Sequence, residues 1–394
     1  MELRYAKRMN HITGSEIREA MKLTLRPGMI SFAGGLPAPE MFPVAEMEEA
    51  AKQVMEEAGA VAMQYSTTEG FDPLREKIVA RMTEKYHIHT TKDNILITNG
   101  SQQGLDFSGR VFLDEGDVVL FESPSYMGAF NAFKAYEPAF QEVPTDEEGM
   151  IPEALDKILS ENKRVKMIYV IPDFQNPTGR TWSLERRKRF LEVVGNYNIP
   201  VIEDNPYGEL RYEGEALPSL KAMDQTGQVI FLGSFSKILA PGYRIGWICA
   251  EKDVLQKYIF VKQGADLQPS TISQMEISKY MDLYSLDQHV EEVKVIYKRR
   301  RDLMFDTMKK CFPAGAKFQK PHGGLFMWVE LPEGMNAKDL LIKCVDKFVA
   351  YIPGGAFFPN GGKENTFRLN FSSMPDDLIV EGILRMGKVL QAEL

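Results

Sequence analysis

The stretch Val229-Ile230-Phe231-Leu232-Gly233-Ser234-Phe235-Ser236-Lys237 joins an apolar run to two serines and a lysine. A short apolar, β-branched run is typical of a buried strand. In wound α/β sheets, ligands bind beyond the carboxyl ends of the strands, which is where the polar residues after such a run lie. The stretch therefore indicates both a fold class and the position of a site.

Similar runs alternate with longer segments of helical period along much of the chain. The predicted strands are Asn94–Thr98, Asp117–Glu122, Val165–Ile171, Pro200–Glu203, Val229–Gly233 and Ile245–Ala250. The predicted helices between them include Gln102–Phe112, Met127–Lys134, Leu184–Tyr197 and Asp253–Gln263. Because helical crossovers join parallel strands, this alternation predicts an α/β fold with a mostly parallel wound sheet.

The pattern changes in the last part of the chain. A long amphipathic helix is predicted first, and shorter strands and helices follow it. These segments are Gln288–Met308, Phe318–Gln319, Phe326–Glu330, Ala337–Phe348 and Phe367–Phe371. They predict a smaller α+β domain. The first ~40 residues, with Gly34-Gly35-Leu36-Pro37, are typical of an arm that packs on a domain.

Composition restricts the class of partner. The 394 residues are 44% hydrophobic, and 47 Lys and Arg against 55 Asp and Glu give a net charge of −8. This charge favours neither nucleic acid nor an anionic membrane as a partner. No apolar run approaches the ~20 residues that cross a bilayer, and the N-terminus has no apolar signal region. We expect a cytoplasmic protein that binds small molecules.

Metal and disulfide chemistry find no support in the sequence. The three cysteines have no Cys-x-x-Cys spacing, and the five histidines show no pair at metal-ligand spacing. We expect no metal site.

Lys237 is the residue that we expect to carry the chemistry. A lysine can hold pyridoxal 5'-phosphate (PLP) as an imine, while hydroxyls and an arginine hold its phosphate. Ser234, Ser236 and Arg244 supply these groups close to Lys237. A single lysine is far more often a solvated surface group, so the prediction depends on the whole set.

A second phosphate contact is predicted in Thr98-Asn99-Gly100-Ser101-Gln102-Gln103-Gly104, which follows a strand and opens a helix. The free N–H groups and the helix dipole at such a position favour an anion. By itself this loop would be an ordinary helix N-terminus. Beside Lys237 we interpret Gly100, Ser101 and Gln102 as a phosphate cradle.

Other polar residues that follow predicted strands suit the cofactor ring. Asp204 can pair with the pyridine nitrogen and keep it protonated. Tyr207 and Asn176 are placed to hydrogen-bond the phenolic oxygen, although Asn176-Pro177-Thr178-Gly179 also reads as a turn. Tyr126 can stack on the ring, with core packing as its alternative role. We predict Lys237, Asp204 and Tyr126 as catalytic residues.

Arg368 is an isolated charge inside an alternating strand of the predicted second domain. A buried arginine requires an anionic partner, and the α-carboxylate of an amino acid would serve. A structural salt bridge is the alternative. We predict that Arg368 and Asn176 together bind the substrate.

With these residues in place, nearly the whole chain resembles the fold-type I PLP-dependent aminotransferases of class I/II. Three segments resemble the branch of 2-aminoadipate aminotransferase and kynurenine aminotransferase II. They are Ser31-Phe32-Ala33-Gly34-Gly35-Leu36-Pro37-Ala38-Pro39-Glu40-Met41-Phe42-Pro43, Tyr65-Ser66-Thr67-Thr68-Glu69-Gly70 and Tyr351-Ile352-Pro353-Gly354-Gly355-Ala356-Phe357-Phe358. The resemblance implies that an L-amino acid passes its amino group to a 2-oxo acid, such as 2-oxoglutarate, by a ping-pong mechanism.

The resemblance also implies roles that no argument from one chain could supply. Tyr65 would reach the phosphate of the partner subunit in a homodimer, Gly35 would belong to a substrate lid, and Arg18 would bind acidic side chains. The implied domains are an arm over 1–44, a large PLP-binding domain over 45–285 and a small domain over 286–394. Asn205 departs from many relatives of this branch, which carry a second acid after the residue matching Asp204.

Alternative functions share this scaffold. A PLP-dependent β-lyase or decarboxylase is one, and a non-catalytic PLP-binding regulator is another. The chain enters the aminotransferase pattern almost at once, so we expect no DNA-binding domain. We expect the basic cluster Lys298-Arg299-Arg300-Arg301 to be a solvated helix face. The amino donor stays open between 2-aminoadipate, an aromatic and a branched-chain amino acid.

Overall fold

The computed structural model describes residues 3–10, 12 and 26–393. The strands are β1 (Ile30–Ser31), β2 (Ile95–Thr98), β3 (Val118–Glu122), β4 (Ala139–Val143), β5 (Thr145–Asp146), β6 (Gly149–Met150), β7 (Val165–Val170), β8 (Val201–Asp204), β9 (Val229–Ser234), β10 (Gly246–Cys249), β11 (Lys317–Phe318), β12 (Phe326–Glu330), β13 (Val349–Ala350), β14 (Ile352–Pro353) and β15 (Thr366–Asn370). A 7-stranded sheet has the order β2-β10-β9-β8-β7-β3-β4.

The helices include most of those predicted and several that the sequence pattern missed. They are α1 (Val44–Ala62), α2 (Asp72–Tyr86), α3 (Ser101–Phe112), α4 (Met127–Phe133), α5 (Pro152–Glu161), α6 (Leu184–Val194), α7 (Leu220–Met223), α8 (Lys252–Ala265), α9 (Thr271–Leu283), α10 (Leu286–Cys311), α11 (Ala337–Val345) and α12 (Asp376–Ala392). Short 3-10 helices cover Lys7–Asn10, Pro39–Met41, Lys92–Asn94, Lys134–Tyr136, Pro241–Tyr243 and Gly354–Phe357.

Strand β10 departs from the predicted parallel arrangement. It runs antiparallel to both of its neighbours, β2 and β9, whereas β4, β3, β7, β8 and β9 pair in parallel. A parallel connection needs a crossover of a dozen or more residues, usually a helix. The segment between β9 and β10 carries the 3-10 helix Pro241–Tyr243 in place of a crossover helix, so the chain returns in the opposite direction.

The large sheet is covered on both faces. Successive side chains of a strand point to opposite faces, and those of β3 divide accordingly. Val119 and Phe121 pack in a cluster with residues of α3, α4 and α8, whereas Val118 and Leu120 pack with residues of α5 and α6. Strands covered on both faces explain why the predicted runs are apolar throughout.

The last part of the chain forms a second sheet. Its strands β11, β12, β15 and β14 pair antiparallel in that order, and α10 packs against α12. The segment before α1 joins this part, because Ile30 and Ser31 of β1 pair in parallel with Val349 and Ala350 of β13.

The prediction that the basic cluster of α10 is solvated is wrong for two of its four residues. Lys298 and Arg299 are exposed, but Arg300 and Arg301 are buried. Arg300 donates to the carbonyl oxygen of Ser372 at 2.6 Å, and Arg301 donates to Glu213 at 2.6 Å. Helical periodicity turns consecutive charges to different faces, and the inward pair is satisfied by tertiary partners.

None of the helices in the described ranges has the length and apolar character needed to cross a membrane. Within the same ranges, no group of three or more His, Cys, Asp or Glu side chains could hold a metal ion.

Candidate active site

A cavity of about 490 Å³ lies beyond the carboxyl ends of the central strands. The site residues predicted from the sequence that line it are Gly35, Ser101, Gln102, Tyr126, Asn176, Asp204, Tyr207, Ser234, Ser236, Lys237, Arg244 and Arg368. They are scattered over the chain, and most of them meet because the parallel strands of the large sheet end at one edge, whereas Arg368 and Gly35 come from other parts of the fold. The cavity therefore combines residues of the large sheet, the second sheet and the N-terminal segment.

Two of the predicted residues that the structure describes do not line the cavity. Gly100 lies directly beside it, at the N-cap of α3. Tyr65 is 79% exposed on the surface of this chain. Arg18 lies outside the described residues.

At one end of the cavity, α3 and Arg244 provide a site suited to a phosphate. Gly100 has φ +72°, and a Cβ atom there would lie 2.7 Å from Nη2 of Arg244. Glycine is therefore required for the arginine to approach the start of the helix. Nη1 of Arg244 donates to the carbonyl oxygen of Pro241 at 3.1 Å, and no carboxylate of the described residues pairs with this arginine. Its charge is free for an anion.

Asp204 ends β8 inside the protein, where it is 2% exposed. Its Oδ2 atom accepts a hydrogen bond from the hydroxyl of Tyr169 at 2.8 Å, whereas Oδ1 is buried and has no hydrogen-bond partner among the residues that the structure describes. Burial raises the pKa of this carboxyl to about 7, and the Tyr169 hydrogen bond acts in the opposite direction. A buried carboxylate oxygen without a donor at the wall of a cavity is suited to a cationic N–H group of a ligand.

Lys237 also lines the cavity. Its Nζ atom donates to the carbonyl oxygen of Gly35 at 2.7 Å. Burial lowers the pKa of Lys237 to about 8, and the charges of Arg368 and Arg244 act in the same direction. A lysine with such a pKa has an appreciable neutral, nucleophilic fraction near pH 7.

Arg368 is buried, and no carboxylate of the described residues forms an ion pair with it. Nη1 donates to Oδ1 of Asn176 at 2.8 Å, and Nη2 donates to the carbonyl oxygen of Ala33 at 2.6 Å. The guanidinium lies 4.2 Å from the ring centre of Phe326 and 5.1 Å from that of Phe357. Burial lowers the pKa of Arg368 to about 10. Since both oxygen partners are neutral, the charge remains available to an anion such as a carboxylate.

Two tyrosines complete the predicted set. Tyr207 is buried, and burial raises its pKa, while a hydrogen bond with Asn176 acts in the opposite direction. Tyr126 lines the cavity and also packs against the main hydrophobic cluster, so its two predicted roles are compatible.

Sequence reasoning missed several residues of the site. The cavity lining includes Leu36, Met127, Asn131 and Ile171, and Tyr169 lies behind Asp204. Strand periodicity was the available signal for Tyr169, because it lies two residues before Ile171 in the predicted strand and therefore on the same face. Helical spacing was the signal for Asn131, which lies one turn after Met127.

Residues 32–385 match the family model of aminotransferases of class I and II. The chain belongs to this family. Over 384 residues it is 48% identical to aromatic-amino-acid aminotransferase 1 of Thermococcus litoralis, and the match covers 96% of this chain and 92% of that protein. It is 43% identical to a 2-aminoadipate transaminase of Thermus thermophilus, over 99% of this chain and 97% of that protein.

A solved structure supports the cofactor. LysN, the α-aminoadipate aminotransferase of Thermus thermophilus, was solved in complex with N-(5'-phosphopyridoxyl)-L-leucine, and it has 41% sequence identity and a TM-score of 0.91. The match covers 98% of this chain and 97% of that chain. The predicted family, fold class and cofactor are confirmed: this is a PLP-dependent amino-acid aminotransferase.

The residues of this cavity fit PLP. The unpaired Oδ1 atom of Asp204 suits the pyridine nitrogen, and Lys237 supplies an amine for the aldehyde. Arg244 and the glycine-capped start of α3 suit the phosphate, together with the hydroxyls of Ser234 and Ser236.

Proposed function

We propose that this aminotransferase accepts L-amino acids with aromatic or aliphatic side chains as amino donors. Such side chains need no cationic residue of the protein to bind them. The observation that supports this is the distribution of charge in the cavity. Lys237, Arg244 and Arg368 are the cations among the described residues that line it. Each has a role toward the cofactor or the α-carboxylate, so none remains for a side-chain carboxylate.

The rest of the lining suits an uncharged side chain. Leu36, Met127 and Ile171 are apolar, and Asn131 offers an amide. Methionine adapts to side chains of different shape, which supports a broad range of donors. An acidic donor, or 2-oxoglutarate as acceptor, carries a second carboxylate and requires a further cation. We propose Arg18 for that role.

We propose that Arg368 and Asn176 hold the α-carboxylate, so that the Cα–H bond faces Lys237. When bound, PLP supplies an aldehyde carbon that takes up the amino group and a ring that accepts the electrons of the Cα–H bond. The neutral amine of Lys237 would take the proton from Cα and deliver it to the former aldehyde carbon of the cofactor, which carries the amino group after the half-reaction. Water would supply the oxygen of the released 2-oxo acid. The lowered pKa of Lys237 suits this exchange.

The other site residues hold the cofactor in this proposal. Asp204 keeps the ring nitrogen protonated, while Tyr207 and Asn176 donate to the phenolic oxygen. Tyr126 stacks on the ring. The phosphate is bound by the site residues Gly100, Ser101, Gln102, Ser234, Ser236 and Arg244.

A half-reaction tests the donor range. The PLP-loaded enzyme is mixed with single amino acids in the absence of any oxo acid, and the absorbance of the lysine-bound cofactor is followed. We expect leucine and phenylalanine to convert it to the aminated cofactor, whereas Lys237→Ala remains unreactive. Conversion by acidic amino acids alone would contradict the proposal, and release of ammonia or CO₂ without amino transfer would favour a lyase or a decarboxylase.

A second comparison tests Arg18. Arg18→Ala should lower kcat/KM for 2-aminoadipate by about tenfold or more, as expected for the loss of a charged contact. Leucine should react as it does with the unchanged enzyme. An equal loss of kcat/KM for both donors would exclude a role of Arg18 in binding the acidic side chain of the substrate.

We also propose a homodimer in which Tyr65 completes the site of the partner subunit. Tyr65 is exposed, and its neighbours Val61 and Met63 are exposed apolar side chains, 60% and 72% accessible. Exposed apolar side chains close together in the sequence support an interface at this segment.

Mixed dimers test this arrangement. Dimers assembled from Tyr65→Ala and Lys237→Ala protomers contain one intact site only if Tyr65 acts across the interface. We expect the mixture to recover activity that both parent variants lack. No recovery, with exchange of subunits verified, would place Tyr65 outside the partner's site.

The division into an arm over 1–44, a large domain over 45–285 and a small domain over 286–394 stays a proposal, as does a cytoplasmic location. The pairing of β1 with β13 supports an arm that joins the small domain. All three cysteines are free thiols, which is compatible with a reducing compartment.

A further inference from the structure

We propose that Tyr169 is a positioning residue for amino transfer. Its hydroxyl holds one oxygen of Asp204, leaves the other for the ring nitrogen, and keeps the shared proton on the ring rather than on the carboxylate. This inference rests on the proposed role of Asp204. It assigns a function to a buried tyrosine that does not line the cavity.

The register of two adjacent strands brings the two side chains together. Tyr169 of β7 lies opposite Ile202 of β8, and Asp204 lies two residues further along β8 on the same face. The hydroxyl of Tyr169 donates to Oδ2 of Asp204 at 2.8 Å, and the two residues are 0% and 2% exposed. Because water has no access, the direction of this hydrogen bond is set by the protein alone.

The ring of Tyr169 is fixed by its neighbours. Its centroid lies 5.6 Å from that of Phe121 and 6.3 Å from that of Phe133. A side chain held in this way presents its hydroxyl at one position. The two oxygens of Asp204 are therefore distinguished: Oδ2 is occupied by Tyr169, and Oδ1 has no partner within the described residues.

The consequence for the proton follows from what a hydrogen bond does to a carboxylate. Burial favours the neutral, protonated form of Asp204, and the Tyr169 hydrogen bond favours the ionised form. If Asp204 were more basic, the proton between it and the ring nitrogen would move toward the carboxylate. The ring would then lose the positive charge that makes it accept electrons. Tyr169 opposes this movement.

Tyr169→Phe tests the inference, because phenylalanine keeps the ring and removes only the donor. The enzyme is loaded with PLP labelled with ¹⁵N in the ring, and the ¹⁵N chemical shift reports directly on protonation. Loss of a hydrogen bond to a charged group should reduce the ratio of ring-protonated to carboxyl-protonated forms by about 10- to 100-fold. We expect the ¹⁵N signal to move toward the value of an unprotonated pyridine, and the half-reaction with leucine to slow.

A matched control removes another buried hydroxyl from the same hydrophobic cluster. Tyr258 is buried and bonds Ser108 at 2.8 Å, without contact with Asp204. Tyr258→Phe should leave the ¹⁵N shift unchanged. Equal movement of the signal in both variants would reveal a general loosening of the core and overturn the inference.

Asp204→Asn distinguishes a failure of the proposed role of Asp204 from a failure of the inference about Tyr169. If this variant leaves the ¹⁵N shift unchanged, the proposed role of Asp204 itself fails. If Asp204→Asn moves the signal while Tyr169→Phe changes neither the signal nor the half-reaction, only the inference about Tyr169 fails.

A second variant tests the inference independently in case Tyr169→Phe fails to fold. With 3-fluorotyrosine at position 169, the ring is retained and the more acidic hydroxyl is a stronger donor. The ¹⁵N signal must then stay at the protonated value. Movement toward the unprotonated value would contradict the inference.

Discussion

The amino nitrogen of Lys237 donates a hydrogen bond to the carbonyl oxygen of Gly35 at 2.7 Å. This contact joins the loop after β9 to the segment that precedes α1. Arg368 makes a similar contact with the carbonyl oxygen of Ala33 at 2.6 Å. The two cations that we assign to the amino-acid substrate therefore both hold the segment that closes one side of the cavity.

The reactivity of Lys237 toward PLP should depend on pH around its lowered pKa. The folded pKa of about 8 lies below the ordinary 10.5, so the neutral amine predominates once the pH exceeds about 8. The rate at which the enzyme without cofactor takes up PLP should rise with pH, reach half of its maximum near pH 8 and level off above it, as measured by the absorbance of the bound form. A rate that rises steeply until the ordinary lysine pKa would contradict the lowered value.

Gly100→Ala should weaken PLP binding. Gly100 has φ +72° and ψ 167°, a region nearly exclusive to glycine, and the new Cβ would lie 2.7 Å from Nη2 of Arg244. A cost of about 1–3 kcal/mol for holding alanine in the conformation that binds the phosphate corresponds to a rise of the PLP Kd of about 5- to 150-fold. Equilibrium titration with PLP measures this change.

Gly264→Ala is the control for that variant. Gly264 lies in α8, where a Cβ meets nothing within 4 Å. Alanine there should stabilise the fold by about 0.4–1 kcal/mol without altering PLP affinity. Equal effects of the two substitutions on the Kd would exclude a special role for the backbone at Gly100.

Asp204 should destabilise the enzyme that lacks cofactor. Its folded pKa of about 7 lies above the ordinary 3.8, so its contribution to stability is full below pH 3.8, falls as the pH rises from 3.8 to about 7, and is lost above that. Asp204→Asn should therefore raise the Tm of the cofactor-free protein more at pH 8 than at pH 5, while weakening PLP binding. A variant that is less stable at both pH values would show that the ionised carboxylate is well accommodated without PLP.

Asn205→Asp should lower the free energy of unfolding of this chain, although many relatives of its branch are expected to carry an acid there. The amide of Asn205 donates to Oδ2 of Asp173 at 3.2 Å, so the substitution would oppose two buried carboxylates. Arg187 and Arg211 also contact Asp173 and reduce the repulsion. We expect a loss of about 1–3 kcal/mol in the free energy of unfolding, measured by denaturant titration. Asn205→Ala, which removes the contact without adding charge, should cost less.

Local patterns in the sequence were sufficient for the fold class and most of the cavity lining. Hydrophobic periodicity over a few residues is enough to predict a strand that ends in polar residues, as at Asp204 and at Ser234 to Lys237. Contacts between segments that are distant in the sequence could not be predicted from these local patterns. The contact between Lys237 and Gly35, the burial of Arg301 and the antiparallel direction of β10 each depend on how distant segments pack.

The sequence by itself determined the α/β architecture and the chemical groups available at the ends of the strands. Both depend on apolar periodicity and on residue type, which are local properties. Only the tertiary structure decided which groups are paired and which remain free. Strand register brings Tyr169 to one oxygen of Asp204, and the packing of the N-terminal segment brings Ala33 to Arg368. Such pairings arise because burial forces each polar group to find a partner wherever the fold supplies one.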